Sequence, residues 1–242
     1  MHIKVKLEFK AKDAGKAVER GDLIVVIDVL RCSSSILNAF ANGAEAVMPA
    51  ETLREAYKIR RDHPEFLLAG ERDGLKPRGF DFGNSPLEFE AEKVKGKTLV
   101  FSTTSGTLAL TCSKVAKWVL IGGFLNADAV AGKALETAEK GDLDVSLVLS
   151  GTKGHFSLED FVCAGALVEG LHKEKVEPSD AALASLLAFK QTKNRLYESI
   201  IRGTHARHLV DLGFKRDIEF SCQLNLFTII PAYKGGVIRL LK

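Results

Sequence analysis

The sequence predicts an α/β fold, a layered α/β/α arrangement around a mixed, mostly parallel sheet. Three observations carry this. Short apolar, β-branched runs alternate with segments of helical periodicity along most of the 242 residues. Two of the runs, 22–30 (DLIVVIDVL) and 145–150 (VSLVLS), are apolar almost throughout, as strands covered on both faces of a parallel sheet are. The last predicted elements are strands without intervening helices, which brings in antiparallel pairing. The length suits one large domain over 1–242, or two tightly packed and related α/β lobes.

In order, 3–9 alternates charge and apolarity and predicts a half-buried strand; 11–20 predicts a short helix. Strand 22–30 carries Asp28 near its end. A loop, Arg31-Cys32-Ser33-Ser34-Ser35, leads into a helix over 36–42 that Gly43 stops. A strand at 47–49 and an amphipathic helix over 52–62 follow, the latter ended by His63-Pro64. Strand 66–69 runs into Gly70-Glu71-Arg72-Asp73-Gly74, then a long Gly- and Pro-punctuated loop over 75–86. Strand 98–101 breaks into Ser102-Thr103-Thr104-Ser105-Gly106-Thr107, with a helix over 108–116. Next come a strand at 115–121, a helix over 126–140, and strand 145–150 with the loop Gly151-Thr152-Lys153-Gly154-His155. Ser157 and Asp160 resemble a capping box for a helix over 161–172. Helices over 178–192 and 195–212, the second interrupted around Gly203, precede strands at 218–220, 226–230 and 236–240.

Composition narrows the function. A hydrophobic share of 46% with 27% charged residues is that of a water-soluble globular chain. The net charge of +3 is spread along the sequence without an aromatic-interleaved basic stripe, which argues against nucleic acid and suits a small anionic substrate. No apolar run is long enough to span a bilayer, and the first ten residues read as a strand and not an export signal, so the expected location is the cytoplasm. Cys32, Cys112, Cys163 and Cys222 form no CxxC pair, which argues against a zinc ribbon or disulfide scaffold.

The chemistry gathers in loops that follow strands, the rim where open α/β sheets bind ligands. Residues 97–111 (KTLVFSTTSGTLALT) place hydroxyls and Gly106 at a helix N-terminus, a setting for a phosphate or sulfonate. Arg31 and Arg72 offer bidentate contacts to anions. Asp28, Glu71, Glu159 and Asp160 are hard oxygen donors suited to Mg2+. Each group has a plainer role too. Asp28 could cap a turn, Glu71 and Arg72 could pair at the surface, and Asp81 could form a turn. Glu159 and Asp160 could simply favour a helix N-terminus, and His155 could be solvated. His205 and His208 are spaced for metal ligation but fit a solvated helical face better. The loops of cysteine, haloacid-type and histidine phosphatases are absent, as is GxxxxGK[ST].

These segments together resemble the 2-phosphosulfolactate phosphatase family. The resemblance rests on Asp28-Val29-Leu30-Arg31-Cys32-Ser33-Ser34, Gly70-Glu71-Arg72, Gly79-Phe80-Asp81-Phe82-Gly83-Asn84-Ser85-Pro86, Thr103-Thr104-Ser105-Gly106-Thr107, and Leu158-Glu159-Asp160 before Ala164-Gly165. The family pattern usually has Ala at Cys32 and Asn at Ser105. The resemblance implies a Mg2+-dependent hydrolase that converts 2-phosphosulfolactate to 3-sulfolactate in coenzyme M biosynthesis. It also implies a homo-oligomer and tolerance of other phosphorylated 2-hydroxy acids. The expected roles are Asp28 with Glu71, Asp81 and Glu159 as metal ligands, and Arg31, Ser33, Ser34, Thr103, Thr104 and Thr107 on the phosphoryl oxygens. Arg72, Asn84, Ser85, Ser105, Gly106 and Lys153 complete the expected substrate site. Asp160 or His155 would protonate the leaving alkoxide. A lyase or transferase on the same loops, or a non-catalytic anion binder, are the competing expectations.

Overall fold

The computed structural model describes residues 2–171 and 176–241. The end of the helix predicted over 161–172 therefore falls, at His172, outside the described residues. The strands are β1 (Ile3–Glu8), β2 (Leu23–Ile27), β3 (Ala46–Pro49), β4 (Leu67–Gly70), β5 (Thr98–Ser102), β6 (Val119–Gly122), β7 (Val145–Leu149), β8 (Val176–Pro178), β9 (Pro231–Lys234) and β10 (Val237–Leu240). Between them lie α1 (Ala14–Arg20), α2 (Cys32–Ala41), α3 (Leu53–Asp62), α4 (Ala91–Val94), α5 (Gly106–Cys112), α6 (Ala127–Gly141), α7 (Leu158–Leu171), α8 (Asp180–Thr192), α9 (Leu196–Ile200), α10 (Thr204–Asp211) and α11 (Lys215–Ser221).

The strands form one mixed sheet in the order β4-β5-β3-β10-β9-β6-β2-β7-β1-β8. Two blocks are internally parallel: β4-β5-β3, and β6-β2-β7-β1-β8. The β9–β10 hairpin joins them, pairing antiparallel with β6 on one side and β3 on the other. Following those senses across the hairpin, the two blocks run in opposite directions. Sheet twist of roughly 20–25° per neighbour accumulates to about 100–125° over the five steps from β5 to β2, and turns their carboxyl ends toward each other.

The period of two along β2 divides the core. Leu23, Val25 and Ile27 pack on the face covered by α6, α7 and α8, while Ile24 and Val26 pack with Ile36, Phe40, Leu99 and Phe101 on the other. Both faces are thus covered, which explains the unbroken apolar runs of β2 and β7. In β5, Val100 turns away from its neighbours to meet Leu68, Ala56 and Phe80 beneath α3.

The structure corrects several element assignments. The segment 218–220 is not a strand but part of α11, and 226–230 lies in no ladder. The hairpin strand β9 and the short edge strand β8 stand where no strand is predicted. Helix α7 starts at Leu158 and not at 161, so Glu159 and Asp160 sit in its first turn, with Ser157 Oγ accepting the Asp160 N–H at 3.3 Å.

Candidate active site

Loops after β2, β4, β5 and β7 meet at one cavity of about 640 Å³, which the start of α10 also lines. Asp28, Arg31, Glu71, Asn84, Thr103, Thr104, Ser105, Lys153, His155 and Glu159 line it. Asp81, Arg72, Ser33, Ser34, Ser85, Gly106, Thr107 and Asp160 do not line it, though most of them hold the residues that do.

The β2–α2 turn shows how. Asp28 Oδ1 accepts the Cys32 N–H (3.1 Å), and the Asp28 carbonyl accepts the Ser33 N–H (2.8 Å). The Asp28 N–H donates to Ser33 Oγ (3.0 Å), and Ser34 Oγ donates to the Val29 carbonyl (2.8 Å). Ser33 and Ser34 therefore brace the turn from inside, both buried and neither lining the cavity. The peptide between Leu30 and Arg31 is cis.

Asp160 is a second brace. Its Oδ1 accepts the Val29 N–H (2.8 Å) and its Oδ2 the Gly151 N–H (3.0 Å), tying the loop after β2 to the loop after β7. Burial, together with the charges of Asp28 and Glu159, pushes its carboxyl well above the ordinary range. Both Asp160 oxygens are occupied and the residue does not line the cavity, whereas His155 does.

In the 102–107 turn, Thr103 and Thr107 satisfy each other. The Thr107 N–H donates to Thr103 Oγ1 (3.1 Å), the Thr103 N–H to Thr107 Oγ1 (3.3 Å), and Thr107 Oγ1 to the Thr103 carbonyl (2.7 Å). The Thr104 N–H donates to Glu71 Oε1 (2.8 Å). Thr103, Thr104 and Ser105 of this turn line the cavity, and the N–H groups of Thr103, Thr104 and Thr107 are already taken. Gly106 begins α5 directly against the Asp28 carboxylate.

Glu71 is likewise committed, since its Oε2 accepts the Gly74 N–H (2.8 Å). Arg72 is pinned to β5, donating to the Glu71 carbonyl (2.6 Å), the Ser102 carbonyl (3.0 Å) and Ser102 Oγ (2.9 Å). Asp81 faces elsewhere: its Oδ2 accepts from Arg60 Nη1 (2.6 Å) and the Leu68 N–H (2.8 Å). It ties α3 to β4 and does not line the cavity. The GFDFGNSP stretch around it is mostly packed inward, with Phe82 against Phe89 and the Asn84 carbonyl accepting Ser35 Oγ (2.7 Å).

Asp28 Oδ2 and the Glu159 carboxylate are left. Both residues are buried, line the cavity, and make no hydrogen bond through these oxygens to the described residues. Burial, then the charges of Glu71 and Glu159, raise the Asp28 carboxyl to about 7 despite the Cys32 N–H and the Arg31 charge. No group of three or more His, Cys, Asp or Glu suited to an ion occurs among the described residues. Two free carboxylates still fit Mg2+, which is commonly held by one or two carboxylates together with substrate phosphate and water. Of the expected set, Glu71 has both oxygens on backbone N–H groups and Asp81 lies off the cavity, so Asp28 Oδ2 and Glu159 are the oxygens of that set left without a donor among the described residues.

Arg31 is fixed on three sides. Its Nη1 donates to Asp217 Oδ2 (2.9 Å), its Nη2 to the Gly74 carbonyl (2.6 Å), and its guanidinium carbon lies 4.1 Å from the Phe214 ring centre. Asp217 Oδ1 accepts from Ser85 Oγ (2.7 Å). Asp217 is the residue that sequence reasoning missed; an Asp in the first turn of a helix gives no sign of a buried partner. Arg202, Thr204, His205 and His208 also line the cavity, and His205 Nε2 lies 2.9 Å from the Leu30 carbonyl, in reach to donate to it.

At the mouth stand two matching turns. Asp73-Gly74 and Lys153-Gly154 adopt left-handed φ of 53°, 83°, 51° and 78°, and each turn is closed by a bridge, Arg72 to Leu75 and Thr152 to His155. Their tips meet, with Lys153 Nζ 2.7 Å from Asp73 Oδ1.

A family model described as 2-phosphosulpholactate phosphatase matches residues 9–236. Relatives named as probable 2-phosphosulfolactate phosphatases resemble the chain along most of its length. One from Caldanaerobacter subterraneus is 42% identical over 219 residues, 89% of each chain. One from Clostridium acetobutylicum is 37% identical over 239 residues, 98% of this chain and all of that one. One from Thermotoga petrophila is 42% identical over 213 residues, 88% of this chain and 89% of that one.

Proposed function

The chain belongs to the 2-phosphosulfolactate phosphatase family, and from that membership we propose that it hydrolyses 2-phosphosulfolactate to 3-sulfolactate and phosphate with Mg2+ bound. It is a phosphoric monoester hydrolase. The observation that carries the finer reading is that Asp28 Oδ2 and the Glu159 carboxylate, on buried residues that line the cavity, accept no hydrogen bond from the described residues, while Arg31, Thr104 and Ser105 line the same cavity. Negative charge left without protein donors in a buried site calls for a cation.

Asp28 and Glu159 would hold the ion, whose contribution when bound is to polarise the phosphoryl group and acidify water. The guanidinium donors of Arg31 left free by Asp217 and Gly74 would take phosphoryl oxygens, and the hydroxyls of Thr104 and Ser105 would add to them. A water attacks phosphorus, the bond to the C2 oxygen breaks, and His155 would supply the proton to the departing alkoxide. Lys153 at the rim would draw in the remaining carboxylate and sulfonate. Other phosphorylated 2-hydroxy acids share the reacting end of this substrate and are proposed as slower substrates. The family resemblance further supports a homo-oligomer acting in the cytoplasm in coenzyme M biosynthesis.

The test is a phosphate-release screen over phosphorylated 2-hydroxy acids, with and without EDTA. Release of phosphate from 2-phosphosulfolactate, lost on chelation and restored by Mg2+, is expected. Turnover that survives chelation sinks the metal assignment, and no release from any member sinks the substrate assignment.

A further inference from the structure

Arg31 is a charge almost wholly removed from water, its side chain 1% exposed, and Asp217 opposite it is 4% exposed. A buried guanidinium needs a counter-charge, and Asp217 supplies it through one oxygen while Ser85 occupies the other. Gly74 takes a second nitrogen and Phe214 stacks on the face. Three contacts therefore hold one edge and one face of a planar fork. Among the described residues Nε–H and one hydrogen on each Nη have no partner and remain for an anion, and Arg31 lines the cavity. Four separate stretches of chain take part: the β2–α2 turn, the loops carrying Gly74 and Ser85, and α11. Gly74 also donates to Glu71, so the fork is coupled to the loop that holds Thr104.

We propose that Asp217 is a positioning residue for the phosphatase reaction, fixing the plane of Arg31 so that its free donors meet the phosphoryl oxygens. Asp217 itself does not line the cavity and acts only through Arg31. The inference rests on the reading that Arg31 binds the phosphate.

The test is a double-mutant cycle with Asp217→Asn, Arg31→Gln and the double variant, read by kcat/KM for 2-phosphosulfolactate and by Kd for inorganic phosphate. Circular dichroism and thermal melting establish that each variant is folded at the assay temperature. Asp217→Asn alone is expected to lower kcat/KM at least ~10-fold and weaken phosphate binding, yet to cost less than ~2-fold further in the Arg31→Gln background. A purely structural role would lower the melting temperature and leave both readouts of the folded enzyme unchanged, which overturns the proposal. Equal losses in both backgrounds also overturn it, because Asp217 would then act independently of Arg31. If Asp217→Asn does not fold, Ser85→Ala takes its place in the cycle, with a smaller loss and the same dependence on Arg31. Wild-type enzyme that binds phosphate in an Asp217-dependent way but leaves 2-phosphosulfolactate intact would refute the substrate and keep the positioning role. An Arg31→Gln enzyme with unchanged binding and turnover refutes both roles assigned to the pair.

Discussion

Gly106 stands against Asp28 with no room for a side chain: a Cβ there would come 2.7 Å from Asp28 Oδ2 and 2.8 Å from Cys32 Sγ. The loop after β5 and the turn after β2 are in direct contact at the acid proposed to hold the ion. Gly106→Ala must displace one of them. Overpacking of this kind costs about 1–3 kcal/mol, and a displaced Asp28 is expected to lower kcat at least ~10-fold. Denaturant unfolding and steady-state kinetics read the two effects separately. An alanine variant with native stability and turnover would show that the contact has slack.

The Asp28 carboxyl, raised to about 7 by burial and by the charges of Glu71 and Glu159, makes stability depend on pH in a defined direction. The folded state holds this proton more tightly than the unfolded chain does. The contribution is therefore full below about pH 4 and is lost as pH rises through 7, by about 4 kcal/mol at most. Cation-free protein is expected to melt at lower temperature at pH 8 than at pH 5, and Mg2+ at pH 8 to restore part of the loss. Asp28→Asn should flatten the slope without abolishing it, because Asp160 shifts in the same direction. Melting curves that do not fall between those pH values would contradict the burial argument.

Asp81 and Glu159 should separate cleanly. Asp81 ties Arg60 and the Leu68 N–H together away from the cavity, so Asp81→Asn is expected to cost about 0.5–2 kcal/mol of stability with turnover within ~2-fold of wild type. Glu159 faces the cavity, so Glu159→Gln is expected to lower kcat/KM at least ~100-fold and to raise the Mg2+ concentration needed for half activity. The reverse pattern would return Asp81 to the metal site.

Lys153 and Asp73 form an exposed pair at the mouth, 61% and 77% accessible, and such pairs add less than about 1 kcal/mol to stability. Lys153→Ala should leave the melting temperature nearly unchanged and raise KM about 3- to 10-fold at low salt, with the difference shrinking as screening shortens the reach of the charge. A KM effect independent of ionic strength would point to a direct contact in place of attraction at the rim.

Much of the rim was legible in the sequence, because β-branched runs followed by hydroxyl, Gly and charged residues mark strand ends wherever they occur. Asp28, Glu71, Thr104, Lys153 and Glu159 do line one cavity. What the residues could not reveal was direction. Ser33 and Ser34 look the same in sequence whether their hydroxyls face a ligand or brace a turn, and here they brace. Asp217 lies in a stretch, Asp-Ile-Glu-Phe, whose alternation over three or four residues fits a strand as well as one turn of helix. Burial of Ile218 and Asp217 together, on a helix packed against the loop bearing Ser85, settles it as helix. Nor does any local signal say that β3, β4 and β5 run opposite to the other parallel block, since strand sense is set by partners far away in the chain.

The β9–β10 hairpin has a consequence for how this molecule is made. On the ribosome, the two half-sheets emerge long before residues 231–240, and each then carries a bare edge, at β6 and at β3. Until the hairpin slots between them, the strands that carry Asp28 and those that carry Glu71 and Thr104 are not hydrogen-bonded into one sheet, and only side-chain packing such as Ile36 and Phe40 on Leu99 and Phe101 joins them. The sheet that frames the cavity is therefore completed only when the last strands arrive, and a chain released before them is expected to carry two exposed strand edges prone to association.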